Sequence, residues 1–408
     1  MFPNRTEEGR RKFLRFLAAS PLFALTGLPS EFVSLAAQED KKLIDSLDEV
    51  FQVTDFEAIA KRMMLPEHWA YLATGVDDDA TLRANREGFS LYQIRMRRLV
   101  DYSKIDLSTE VFGVRWETPL AFCPVASLEG FHTQGEVGAA RAASRKGVLQ
   151  MLSTVSSNSI EDVNEAYGEP IWYQLYARPD WDNTSRLVKR VEAAGCPVLV
   201  FTIDLLAGRN TVTNDRAQGL EGIQQEFCQN CHKGRTKPMS DGLTPPSDRT
   251  LVTNFTWDYV KRLKDATDMK VVLKGIVTEE DAELAVEFGA DGVMVSNHGG
   301  RGAESLRSTI ECLPEVAAGV RGRVPVIFDS GIRRGTDMLK ALALGADVVG
   351  IGRPYVWGLA GFGQDGVEKV VDILHRELRL VMNQAGATSV AALRRGRHIM
   401  DRRTGKRM

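Results

Sequence analysis

Between residues 119 and 352 the chain repeats one unit eight times: a short apolar run, then a longer segment of helical period. The runs are PLAFCPVA (119–126), GVLQMLST (147–154), PIWYQLY (170–176), PVLVFTID (197–204), KVVLKG (270–275), DGVMVSN (291–297), PVIFDSG (325–331) and DVVGIG (347–352). They are continuous rather than alternating, as strands covered on both faces require. Between them, EEDAELAVEFGA (279–290) and GTDMLKALALGA (335–346) place apolar residues three and four apart and close on glycine. Eight strand–helix units predict an α/β fold, a closed (β/α)8 TIM barrel. An open doubly wound sheet is disfavoured, because its G-x-G-x-x-G after the first strand is missing.

The barrel is expected over 119–408, behind an N-terminal cap segment at 38–118 with a helical stretch near 55–75 and a polar turn, GVDDDAT (75–81). The connection after strand four, about 205–254, has few apolar runs and reads as a lid loop. Residues 1–37 form a third piece. Arg10-Arg11-Lys12 precedes a 13-residue apolar run, Phe16 to Leu28, and Ser34-Leu35-Ala36 offers a small-x-small exit. The run is shorter than the roughly 20 residues that span a bilayer. This order resembles a twin-arginine signal that exports folded proteins. It predicts a periplasmic or exported protein, membrane-tethered if the signal stays uncleaved. A net charge of −2 gives no reason to expect nucleic acid as a partner.

Active sites of such barrels form at the C-terminal ends of the strands. Ser153 ends strand two, Gln174 and Tyr176 strand three, Thr202 and Asp204 strand four, and Lys274 strand five. His298 and Arg301 follow strand six, Asp329 ends strand seven, and Gly352-Arg353 follow strand eight. Structural capping would supply Ser, Asp and Gly there, but not Gln, Tyr, Lys, His and Arg together. DSGIRRG (329–335) and GIGRP (350–354) suit a phosphate, with glycine N–H groups and arginines aimed at the anion. Lys274 then reaches whatever ring the phosphate anchors and stabilises negative charge arising there, as a flavin requires.

The stretch VMVSNHGGRGAES (293–305) leaves a buried strand and presents His298, then Gly299-Gly300, then Arg301. His298 is a proton acceptor near neutral pH. The glycines are expected to leave a gap for a planar ring or small substrate, and Arg301 offers a fork shaped for a carboxylate. Such a loop suits a substrate whose acidic carbon neighbours its carboxylate.

Inside the lid loop, Cys228-Gln-Asn-Cys231-His232 matches the c-type haem attachment pattern, with Met239 a conceivable second axial ligand. The segment has little apolar sequence to enclose a haem, and attachment to an unfolded chain conflicts with folded export. A disulfide or a metal-binding pair is the favoured reading over haem c.

From about residue 50 to the C-terminus the chain resembles the FMN-dependent α-hydroxy-acid oxidases and dehydrogenases, the family of glycolate oxidase and lactate oxidase. LKGI (273–276), SNHGGR (296–301), DSGIRRGTD (329–337), ALALGA (341–346) and GIGRP (350–354) carry the resemblance. It implies FMN as cofactor and oxidation of a 2-hydroxy acid, L-lactate-like, to a 2-oxo acid. The acceptor would be oxygen or a respiratory partner, a cytochrome or quinone, and the protein a homo-oligomer. By position it implies His298 as base, Asp204 stabilising its imidazolium, and Tyr176 on the substrate hydroxyl. Arg301 would bind the carboxylate. Val125, Ala126, Ser153, Gln174, Thr202, Lys274 and Ser296 would line the flavin. Asp329, Ser330, Gly331, Ile332, Arg333, Gly352 and Arg353 would hold its ribityl phosphate.

Three departures fall on the substrate side. In Trp69-Ala70-Tyr71, Trp69 stands where the family's first tyrosine is expected. Gly208-Arg209 is one residue shorter than the family's spacing to its second carboxylate arginine, which puts Arg209 in that role. Gly302-Ala303-Glu304 replaces the usual Gln-Leu after SNHGGR. Alternatives from other classes are an isomerase-type flavin barrel and a flavin-binding protein whose catalysis has lapsed.

Overall fold

The computed structural model describes residues 44–220, 237–243, 255–395 and 397–408. The expected export signal at 1–37 and the Cys228, Cys231 and His232 motif lie outside these residues.

Each predicted run contains a strand: β1 (Leu120–Phe122), β2 (Leu149–Ser153), β3 (Trp172–Leu175), β4 (Val198–Thr202), β5 (Lys270–Ile276), β6 (Gly292–Val295), β7 (Val326–Phe328) and β8 (Val348–Ile351). They pair in parallel in chain order, and β8 returns to β1 to close the barrel. Except for β5, which extends one residue past its run, the strands are shorter than the runs, and the last residues of most runs have turned out of the sheet, where the reactive side chains sit. Register sets Ser153 opposite Gln174 and Thr202 opposite Lys274, and a side-chain hydrogen bond from Gln174 to Thr202 joins the two pairs.

The interior is filled by buried side chains from alternate strand positions, among them Ala121, Met151, Trp172, Val200, Val272, Met294 and Ile327. A hairpin, Thr109–Val111 paired with Val114–Trp116, plugs the N-terminal mouth. Phe112 at its turn packs against Trp172 with ring centroids 5.6 Å apart.

Three helices of the N-terminal segment serve the other mouth: α1 (Asp55–Met63), α2 (Pro66–Ala73) and α3 (Ala80–Glu87). The expected stretch near 55–75 is two helices. Pro66 opens α2 in its first turn, and the preceding Leu65 is held extended at ψ 144°. α1 lies on the helical segment Arg353–Ala385, which is broken at Phe362-Gly363, with Phe56 edge-on to Phe362 at 6.1 Å.

The long connection after β4 is not structureless. It carries a helix at Val212–Leu220 that packs against α2. Met239 is buried, and its sulfur accepts the Ile160 N–H at 3.3 Å at the start of another helix. The sequence reading offered Met239 as a haem ligand; its sulfur is committed to packing and capping instead. Among the described residues no helix is long and apolar enough to cross a membrane, and no cluster of His, Cys, Asp and Glu could hold a metal.

Candidate active site

The strand tips form a buried polar chain. Ser153 Oγ donates to Gln174 Oε1 at 3.3 Å, and Gln174 Nε2 donates to Thr202 Oγ1 at 2.9 Å. On β5, Lys274 Nζ donates to Ser296 Oγ at 3.0 Å and stands 3.6 Å from Asp204 Oδ2. Beside Asp204, β5 shifts register against β6 at Gly275, whose φ is +117°. A Cβ on Gly275 would lie 2.8 Å from that of Asp204, so only glycine fits there.

Asp204 Oδ1 lies 2.9 Å from His298 Nδ1, and the Tyr176 hydroxyl 3.2 Å from His298 Nε2. Burial alone would raise the Asp204 carboxyl, but the Lys274 ammonium and the hydrogen bond from His298 outweigh it and pull it down to about 2. An ionised carboxylate only accepts, so Nδ1 carries the proton and Nε2 keeps its lone pair. Burial, reinforced by Lys274, lowers the pKa of His298 against the opposing pull of Asp204. The imidazole is thus neutral and faces the cavity as a base. Burial also keeps the Tyr176 phenol protonated.

His298, Gly299 and Gly300 are consecutive left-handed residues, with φ of +60°, +69° and +77°. A Cβ on Gly300 would come 2.6 Å from the backbone N and Cα of Leu82 in α3, and one on Gly299 would come 2.8 Å from Arg353 Nη1. Gly300 therefore leaves its space to α3 and not to a ring, whereas Gly299 lines the cleft above these groups, beside the Arg353 guanidinium.

A cleft opens over these groups. It is lined by Val125, Ala126, Ser153, Tyr176, Lys274, His298 and Arg301, by Asp329 through Arg333, and by Gly352 and Arg353. Gln174, Thr202, Ser296 and Asp204 sit directly behind that lining. Arg333 is buried with its guanidinium over Trp357, 4.5 Å from the ring centroid. Arg353 donates to the carbonyl oxygens of Leu72 (2.6 Å), Gly299 (2.9 Å) and Thr74 (3.0 Å). Burial pushes both guanidinium groups down to about 9, and neighbouring arginines push the same way. Guanidinium stays charged in proteins, so the physical content is a demand for an anion. Four cations (Lys274, Arg301, Arg333, Arg353) face two carboxylates, Asp204 and Asp329. A phosphate monoester at one end and a substrate carboxylate at the other match that excess.

Residues 60–400 match the family model described as FMN-dependent dehydrogenase. The chain belongs to this family. It is 38% identical over 365 residues to a protein named 2-hydroxyacid oxidase from Dictyostelium discoideum, covering 89% of this chain and 93% of the relative. It is 38% identical over 355 residues to glycolate oxidase 3 of Oryza sativa subsp. indica, covering 86% and 97%. Among solved structures it resembles mandelate oxidase with (S)-2-phenylpropionate, at a TM-score of 0.73, 37% identity, and coverage of 85% and 97%. The chain is thus an FMN-dependent oxidoreductase of the 2-hydroxy-acid-oxidising class.

The residues present suit that cofactor: Lys274, Ser153 and Ala126 could face its ring, and Arg333 with the Ser330–Gly331 turn could hold its phosphate. Replacing Arg333 by alanine is expected to weaken FMN binding by roughly a hundredfold or more, since a desolvated cation that would face the phosphate is lost. Titration of apoprotein with FMN by fluorescence quenching measures it.

The substrate side needed correction. Trp69 does not line the cleft. Tyr71, two residues on, does, with Arg301 stacked 4.5 Å over its ring. Residues two apart on a helix do not share a face, so only one could point in, and the spacing of Tyr71 to the turn glycine Gly75 was the available signal. Arg301 also donates to the carbonyl oxygens of Tyr71 and Thr74. Arg209 stays exposed beside the mouth, where its charge acts on Tyr176 and Arg301 without lining the cleft.

Proposed function

We propose that the enzyme oxidises 2-hydroxy acids with an apolar side chain, from lactate to mandelate in size, and passes the electrons to oxygen. The observation that carries this reading is the pairing of His298, oriented by Asp204 and touched by Tyr176, with Arg301 held against Tyr71 across one cleft. Arg301 takes the carboxylate, and Tyr176 donates to the hydroxyl oxygen. His298 Nε2 receives a proton from the substrate, and Asp204 stabilises the imidazolium that results. Bound FMN supplies the two-electron acceptor. Tyr71 is backed by Phe131, stacked at 6.3 Å with 25° between ring planes, an aromatic wall that supports an apolar substituent. The acceptor is argued from the relatives, whose names are those of oxidases.

Anaerobic mixing with lactate, mandelate and glycolate tests the proposal. Flavin bleaching should be faster with the first two than with glycolate, and oxygen should restore the colour with one peroxide per flavin. Bleaching by none of the three would sink the substrate assignment. Reoxidation by a quinone analogue and not by oxygen would sink the acceptor. Because burial lowers the pKa of His298, the base is lost only below the ordinary histidine range near 6.5. The pH profile of kcat/KM should accordingly stay flat through neutrality and fall on acidification with a midpoint below about 6.5. The export read from residues 1–37 is a separate proposal, checked by the N-terminal residue of the mature protein.

A further inference from the structure

The loop that carries both His298 and Arg301 is fastened to a helix that brings no group to the reaction. Helix α3 begins at Ala80, and the residue before it, Asp79, is left-handed at φ +60° and makes no cap with its side chain. Its carboxylate is spent elsewhere, accepting from Gly75 N at 2.6 Å and from Thr213 Oγ1 at 3.0 Å. The first amides of α3 are instead taken by Glu304, 224 residues away: Oε1 accepts from Ala80 N at 2.7 Å and Oε2 from Thr81 N at 2.9 Å. Thr81 Oγ1 in turn accepts from Leu306 N at 3.0 Å. At the far end of the helix, Asn85 and Asn297 exchange two amide hydrogen bonds of 2.8 Å each.

Segment 297–306 is therefore tied to α3 at both ends, and Gly300 packs on Leu82 between the ties. Residues 302–307 have no regular structure of their own, so Glu304 is the anchor on the far side of Arg301. Its carboxylate lies at the positive end of α3, while Arg301 lies at the carbonyl end of α2. Both charges suit the helix ends they meet.

We propose that Glu304 is a positioning residue, fixing where Arg301 and His298 stand relative to the substrate by gripping the first two amides of α3. The proposal rests on the reading in which Arg301 receives the substrate carboxylate. A displacement near 1 Å in such a group costs up to about a hundredfold, far more than the loss of a helix cap does through stability.

The test compares holoenzyme carrying Glu304→Ala or Glu304→Gln with the wild type. Binding of phenylglyoxylate, a 2-oxo acid, is read by perturbation of the flavin spectrum, and FMN affinity by fluorescence. For the alanine variant the Kd for the oxo acid and the KM for the hydroxy acid should each rise about tenfold or more, with a smaller fall in kcat and FMN affinity within about twofold. The glutamine variant keeps one acceptor oxygen for the two amides and should fall between the alanine variant and the wild type. Unchanged oxo-acid binding and KM beside a lowered Tm would overturn the proposal, leaving Glu304 a helix cap alone. Release of FMN by both variants would also overturn it, showing general collapse. A wild type that fails to bind the oxo acid would count against the functional reading itself, a result separable from anything the variants do.

Discussion

Replacing His298 by glutamine should leave a yellow protein that substrate no longer bleaches. General base catalysis contributes about 10²- to 10⁴-fold, and here the base is also the group that Asp204 and Tyr176 are arranged around. A fall in kcat of roughly a thousandfold or more is expected, about 4 kcal/mol of transition-state stabilisation. The glutamine amide cannot take up the proton, and its volume suits the same space. Position 298 has φ +60°, a conformation that asparagine tolerates better than most residues. His298→Asn therefore serves as a control: it relieves backbone strain but offers no base, and it should be as inactive as the glutamine variant. Single-turnover bleaching under anaerobic conditions measures both. Retention of more than a tenth of the wild-type rate in either would remove His298 from its role.

Lys274→Met should produce the largest loss of stability of any single change at the rim. Lys274 and Asp204 are both buried, with side chains 4% and 10% exposed, and 3.6 Å apart. Removing one member of a buried pair costs about 3–5 kcal/mol, because the remaining charge is left uncompensated. For a chain of this size that lowers the Tm by about 4–6 °C. The Asp204 carboxyl, which burial pushes up and Lys274 holds down to about 2, should rise, weakening its grip on His298 Nδ1. Turnover should fall with it. A double variant, Lys274→Met with Asp204→Asn, should regain part of the Tm, since Asp204 no longer carries a lone charge, and stay inactive. Thermal unfolding of the holoenzyme, followed by flavin fluorescence, separates these cases. A single variant as stable as the wild type would refute the pairing.

Much of this architecture was legible in the chain. Parallel strands covered on both faces must be apolar throughout, so the barrel announces itself as eight unbroken runs, and the polar residue that ends each run marks the rim. That logic found Ser153, Gln174, Thr202, Lys274, His298 and Asp329 without a partner being known for any of them. What stayed hidden depends on neighbours distant in sequence. The spacing of Gly299 and Gly300 says that side chains are unwelcome, but the intruders are Arg353 and Leu82, the latter 218 positions upstream by subtraction of the two numbers. The same limit explains the choice of Trp69 over Tyr71, since either could be the inward face of α2 until the helix is docked. The helix Val212–Leu220 was concealed by weak amphipathicity, a polar VTNDRAQ sequence whose contact with α2 is set by tertiary context.

The contact of Leu82 with Gly300 bears on how such an enzyme could be rebuilt. A chimaera that kept residues 119–408 and borrowed its leading helices from another flavin barrel would inherit every cofactor contact on the strands, yet present its imidazole and guanidinium at the wrong pitch. Grafts that carry residues 66–87 along with the β6 loop as one cassette should transplant turnover, whereas exchanging either half alone should yield coloured but idle protein.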